Sequence, residues 1–168
     1  MEGIPIRNAR RGDIPSLLLL WGAMMKENAA ADPRLALHAR ALEHMTATFA
    51  KWIQEPDHHV IVAEEAGRVV IGFAVSSVSV GNGCQVPTRL GRITDCFVVK
   101  PRRRRGIARR LSGRLMDLLY EKGVDTVRVA VALQNEGARA FWRSVGWEDL
   151  EEVFECAAPG ADEQRAES

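Results

Sequence analysis

The chain of 168 residues has one tyrosine, Tyr120, and only three cysteines, Cys84, Cys96 and Cys156, which form no CxxC or Cys/His arrangement. Their spacing argues against a disulfide framework and a zinc site, and leaves them as small apolar fillers in a reducing compartment. No metal is expected. Net charge is nearly absent: Lys plus Arg number 23 and Asp plus Glu 22, so there is no global basic field to steer the protein onto nucleic acid. Long apolar runs are missing too. The longest, LLLLWGAMM from Leu17, is far below the ~18 residues of a spanning helix, and MEGIPIRNARRGD has no apolar leader core. These features predict a soluble, cytoplasmic protein with no membrane contact and no nucleic-acid partner. The length and a hydrophobic content of 46% suit one ordinary domain with its own core.

What is present is patterned. IPIRNA, from Ile4, alternates like a short strand, and the next segment places Leu17, Leu20, Trp21, Met24 and Met25 at helical spacing behind Asp13 as N-cap and Pro15 in the first turn. A second helix is predicted from Asp32 to Glu55, with Leu35, Ala39, Leu42, Met45, Phe49, Trp52 and Ile53 as its apolar set, ending before Pro56. Two β-branched runs around EEAGR predict a hairpin with Gly67 in its turn. The breaker-rich GNGCQVPTRLG reads as a loop and RITDCFVV as the next strand. A helix then runs from Ile107 to a stop at Gly123. It is followed by a strand in VDTVRVAVAL, a short helix in NEGARAFWRSV and a last strand in WEDLEEVFEC. The predicted order is β-α-α-β-β-β-α-β-α-β, a mixed sheet with helices.

The charge is sorted by site. Acidic residues gather at Glu148, Asp149, Glu151, Glu152 and Glu155, while KPRRRRGIARRL, from Lys100, sets Arg102, Arg103, Arg104, Arg105, Arg109 and Arg110 around Gly106. A strand ending in such a loop, with a glycine opening a helix, is a recipe for a diphosphate site. The first-turn N–H groups point outward, the helix dipole adds partial positive charge, and a residue without Cβ lets an anion approach the main chain. Taken alone, the same residues also fit a solvated surface.

Arg103-x-x-Gly106-x-Ala108 resembles the acyl-CoA pyrophosphate loop of the GNAT superfamily of N-acetyltransferases, Q/R-x-x-G-x-G/A, and DCFVV stands where that family's splayed strand stands. Asn135-x-x-Ala138-x-x-Phe141-Trp142-x-x-x-Gly146-Trp147 is similar to its second signature, N-x-x-A-x-x-F-Y-x-x-x-G-F. The resemblance implies an α/β (α+β) GNAT fold over residues 1–156: a central mixed seven-stranded sheet, splayed between strands four and five and flanked by about four helices, before a disordered tail at 157–168. It implies acetyl-CoA as co-substrate. Phe97, Val98 and Val99 would meet the pantetheine arm through their main chain. Arg103, Arg104, Arg105, Gly106, Ile107 and Ala108 would cradle the phosphates, Asn135 would reach the cofactor from the loop before the fourth helix, and Trp142 would also be a cofactor-binding residue. It also implies a small-molecule or peptide amine as acceptor, and it admits a homodimer. The sequence departs from the pattern twice: Lys100 precedes Pro101 where the family's proline falls one residue earlier, and Trp142 replaces the tyrosine proposed to protonate the departing thiolate.

Amine acetylation needs a base, because alkylamines with a pKa of ~10 are protonated at neutral pH. Asp95, in the middle of an apolar strand, is the first candidate. It is disfavoured there by propensity and costly to bury unpaired, although a structural role beside Arg92 or a loop fits as well. Glu27 and Asp32, at the end of the first helix, are candidates for holding a cationic substrate, or else solvated helix-end charges. Asn135 equally fits a plain N-cap.

Overall fold

The computed structural model describes residues 4–81 and 88–150. The chain runs through β1 (Ile6–Asn8), a 3-10 turn (Arg11–Asp13), α1 (Ile14–Ala31), a second 3-10 turn (Pro33–Leu35), α2 (Ala41–Trp52), β2 (His58–Glu65), β3 (Val69–Val80) and β4 (Arg89–Val98). A third 3-10 turn (Lys100–Arg102), α3 (Ile107–Glu121), β5 (Thr126–Val129) and α4 (Glu136–Ser144) complete it. The strands form one sheet in the order β1-β2-β3-β4-β5, antiparallel except for the parallel β4–β5 pair. Five strands are therefore found among the described residues, not seven. Residues Trp147–Leu150, where the last strand was expected to begin, have no regular structure, and the rest of that strand and the tail lie outside the described residues.

The sheet separates two cores. Leu17, Leu20, Met45 and Phe49 from α1 and α2 cover Val60, Val62, Phe73, Val75 and Phe97 on one face. On the other, Ile107, Leu111, Leu115 and Leu118 of α3, with Trp142 of α4, cover Ile61, Ala63, Ile71, Ala74, Ile93 and Val98. The alternation of β2 between the faces is the period-two pattern of a strand buried on both sides.

Helix two begins nine residues later than the apolar pattern suggested, at Ala41. Asp32 is the reason. Its carboxylate accepts the Arg34 N–H at 3.1 Å and the Arg34 guanidinium, which stabilises a 3-10 turn in place of a helical start. The buried stripe of α2 is Ala41, Met45 and Phe49, and Leu42 is 52% exposed. Asp13 likewise does not cap α1; it accepts the Arg10 N–H at 2.7 Å and pairs with Arg7, closing the turn before the helix.

Two irregularities shape the centre of the sheet. The β2–β3 register shifts after Ala63, where Ile71 is the extra residue, and the β3–β4 register shifts between Val75 and Ser76, where Thr94 is extra. Such bulges bend a strand and increase its twist.

Candidate active site

Thr94 marks the place where β4 loses a neighbour. Its parallel ladder with β5 runs from Leu90↔Thr126 to Ile93↔Val129 and stops, while β4 continues to Val98. The Val99 N–H donates to the Ile71 carbonyl at 3.0 Å, so by antiparallel alternation Val99 and Phe97 spend their main-chain groups on β3. Those of Cys96 and Val98 face the opening beyond β5. Of the three residues expected to offer main-chain contacts, Val98 alone is so oriented; Cys96 was not anticipated, because its role follows from the bulge.

The strand leads into a tight loop. Arg104 has φ 63°, Gly106 has φ 75°, and α3 starts at Ile107. Its first rung is the Arg110 N–H to the Gly106 carbonyl at 3.1 Å, so the N–H groups of Ile107, Ala108 and Arg109 have no helical acceptor. No side chain caps this helix. A Cβ built at Gly106 would meet nothing within 4 Å. The result is an exposed helix start with left-handed residues on its approach, a concavity of N–H groups suited to an anion.

The arginines of the loop divide. Arg102 pairs in two places with Glu65, both at 2.9 Å. Arg103 turns back: its Nε donates to the Val98 carbonyl at 2.8 Å, its Nη2 to Glu27 at 2.9 and 3.0 Å, and its guanidinium lies 5.1 Å from the centre of the Phe97 ring. Arg104 and Arg105 are exposed beside Gly106, without a hydrogen-bond partner among the described residues. Of the predicted cradle side chains, these two are therefore presented outward, and Arg103 is engaged by the protein.

Asp95 follows the bulge on the face of α1 and α2, opposite Val75. It is half-buried, and Thr94 Oγ1 donates to it at 2.7 Å. Burial raises its carboxyl above the ordinary range, and the Thr94 bond opposes this. Neither the Arg92 pairing nor a loop-capping role is found among the described contacts. Beside it, burial and the Asp95 charge push the Cys96 thiol up to about 12.

A model of the acetyltransferase (GNAT) family matches residues 22–147. The chain belongs to the GNAT family of acetyltransferases. No curated protein matches the sequence. Among solved structures, a tetramutant of the BH1408 protein of Bacillus halodurans is similar with a TM-score of 0.78 and 19% identity, over 92% of this chain and 99% of that one. The aminoglycoside N-acetyltransferase AAC(6')-Iy in complex with CoA matches at 0.71 and 20%, over 92% and 94%. AAC(6')-Ih from Acinetobacter baumannii matches at 0.71 and 18%, over 93% and 98%.

Within this GNAT domain, Asn135 caps α4: its Oδ1 accepts the Ala138 N–H at 3.0 Å and its Nδ2 donates to Asn28 Oδ1 of α1 at 3.2 Å. Trp142, the residue in the family's tyrosine position, is 6% exposed and packed against Phe141 and Trp147 with ring centres 5.0 and 4.8 Å away. Its place is in the α3-side core, where an amphipathic helix puts its large apolar residue, and not at the opening. Tyr120 is 58% exposed near the end of α3.

The α1 wall differs from the sequence expectation. Asp32 is buried and committed to Arg34, whose hydrogen bonds hold its carboxyl below the usual carboxylate range. Glu27 lines a cavity of about 480 Å³ with Ala23, Lys26, Ala30, Phe97, Val99 and Lys100, but Arg103 holds it and the Lys100 ammonium lies 3.8 Å away. A carboxylate so matched offers little to a cationic substrate.

Proposed function

We propose that this GNAT domain is an acetyl-CoA-dependent N-acetyltransferase that acetylates a primary amine by direct attack in a ternary complex. One continuous feature carries the reading: the main chain of Cys96 and Val98, which has no neighbouring strand on that side and of which only the Val98 carbonyl is taken, by Arg103 Nε, leads straight into the open helix start at Gly106. An amide-bearing arm laid along the strand would find donors and acceptors there. A diphosphate at its end would meet the first-turn N–H groups of α3, with Arg104 and Arg105 to neutralise its charge. The residues present fit the cofactor. Acetyl-CoA supplies the activated acyl group and the thiol leaving group.

The protein's part is to deprotonate the amine and hold it over the strand. Asp95 takes the proton, directly or through a water, and a carboxyl held above its ordinary range by burial is better matched to that task than an exposed one. The high value of the Cys96 thiol keeps it protonated and weakly nucleophilic, which favours direct attack over an acyl-cysteine relay. No phenol stands at the opening, since Tyr120 is remote on the exposed side of α3 and Trp142 is in the core. With no side-chain acid at the opening, water would have to supply the proton to the leaving thiol of the bound cofactor. The same absence favours a second reading, a GNAT-fold protein that binds acyl-CoA with little catalysis.

Calorimetry with acetyl-CoA tests the first step, and no binding at millimolar ligand would refute both readings. Thiol release across a panel of amines separates them: steady release discards the binding-only reading, and binding without release discards the enzyme.

A further inference from the structure

The face of the sheet on the side of α1 and α2 carries an unusual pair of charges. Val127 and Val129 of β5 pack into the core under α3, so Arg128 between them points to the other face. Ile93 of β4 belongs to the same core, so Arg92 also points away from it. The β4–β5 register sets Arg92 directly against Arg128.

Like charges directly opposite one another destabilise a sheet. Several other arginines have carboxylate partners, Arg7 with Asp13 and Glu64, Arg102 with Glu65, Arg103 with Glu27 and Arg143 with Asp149, while among the described residues Arg104 and Arg105 are exposed without one and Arg89 Nε of β4 is buried without a hydrogen bond. Neither Arg92 nor Arg128 has an ion pair among the described residues, and Arg128 Nε is buried without a hydrogen-bond partner.

Asp95 lies on this same face, because Phe97 two residues on and Val75 across the ladder both belong to the core under α1 and α2. Arg92 precedes it by three residues with the bulge between, a separation of about 10 Å along the strand, which an arginine side chain spans in large part. The arginines are not counter-ions of Asp95: burial and Thr94 are what move that carboxyl.

Resting on the acetyltransfer reading, we infer that Arg92 and Arg128 form an anion subsite for the acceptor, and that the acceptor is an amine that also carries a carboxylate or phosphate group. The two guanidinium forks hold the anion at the paired part of β4–β5, and the amine lies toward Asp95 at the unpaired part. The site selects against polycations through the same charges.

The test is acetyl-CoA-dependent thiol release with matched acceptors: a free amino acid against its amide, a phosphorylated amino alcohol against the amino alcohol, an acidic dipeptide, and a polyamine. The anionic member of a pair should show a kcat/KM higher by about tenfold to a hundredfold, the range of hydrogen bonds to a charged group. The pair with the larger ratio identifies carboxylate or phosphate. Arg128→Gln should remove that preference through the acceptor KM, keep the acetyl-CoA dissociation constant and leave the melting temperature equal or higher, with Arg128→Lys intermediate and Arg92→Gln reproducing the loss.

A wild-type protein that binds acetyl-CoA and releases thiol with some amine, yet prefers the polyamine, shows no difference within the pairs, or turns over none of these anionic acceptors, overturns this inference alone. So does a preference that survives both glutamine variants, or a fall in melting temperature that marks the pair as structural. Binding without release for any amine overturns the acetyltransfer reading as well. A wild-type protein that binds no acetyl-CoA overturns the acetyltransfer reading itself, and this inference with it.

Discussion

Gly72 offers the sharpest check on the packing that shapes the opening. It follows the Ile71 bulge in β3, opposite Val98, and a Cβ there would lie 2.9 Å from the Phe97 carbonyl oxygen, 3.2 Å from Val98 Cγ2 and 3.4 Å from Leu111 Cδ1. The nearest obstacle is backbone, which cannot rotate aside, so Gly72→Ala must push β3 from β4 or tilt the end of β4. Overpacking of this kind costs about 1–3 kcal/mol, and with the obstacle fixed in the ladder the upper half of the range applies. For a domain of this size that is a fall in melting temperature of roughly 4–10 °C. Differential scanning calorimetry reads it directly, with Gly113→Ala as the control. Gly113 lies on the exposed face of α3 with nothing within 4 Å of a built Cβ, so alanine there should stabilise by about 0.5–1 kcal/mol. Because the displaced groups are the carbonyl of Phe97 and the side chain of Val98, Gly72→Ala should also weaken acetyl-CoA binding, whereas the control should not. A Gly72→Ala protein that melts within a degree of wild type and binds as well would refute the rigid fit inferred between the two strands.

Asp95→Asn should lower kcat by about 10²–10⁴-fold with acetyl-CoA affinity retained, the range for loss of a general base, and normal turnover would remove Asp95 from the mechanism. The sign of its effect on stability is separate: a folded-state value raised by burial favours the fold at low pH and is lost as pH rises through that value, so the amide should keep or raise the melting temperature at neutral pH. Arg104→Ala, at an exposed guanidinium beside Gly106, should weaken acetyl-CoA binding in calorimetry, and an unchanged affinity would remove that side chain from the phosphate site; Arg103→Ala should change stability by no more than about 1 kcal/mol, since the Glu27 pair is over a third exposed on the arginine side. Tyr120→Phe should leave turnover unaltered, and a marked loss would bring a phenol into the reaction. Trp142→Ala should destabilise by about 3–5 kcal/mol in denaturant unfolding, and a mild effect would contradict its place in the core.

The parts of the molecule legible in the sequence are those governed by local chemistry. The stripe Ile107, Leu111, Leu115 and Leu118, with Gly106 before it and Gly123 after, is read from spacing alone, and so is the hairpin turned at Gly67 and Arg68, both with positive φ. The start of α2 was not legible, because a side-chain turn at Asp32 and Arg34 overrides a periodicity that continues through it. Which main-chain groups of β4 are free was hidden for a different reason: it depends on one extra residue, Thr94, visible only against the partner strand. The fates of Arg103 and Glu27, 76 residues apart, and of Asn28 and Asn135, 107 apart, are tertiary, and residue type gives no signal of them.

Glu27 and Asn28 are neighbours in the last turns of α1, yet they reach opposite banks of the open end of the sheet, one to the loop after β4 and the other to the cap of α4. The helix end is in effect a keystone between the two halves. In the acetyltransfer reaction proposed above, substitutions in α1 that reshape the acceptor side would therefore disturb the seating of acetyl-CoA as well. A search for new acceptor specificity in this segment would then return variants whose altered substrate choice and altered acetyl-CoA affinity arrive together.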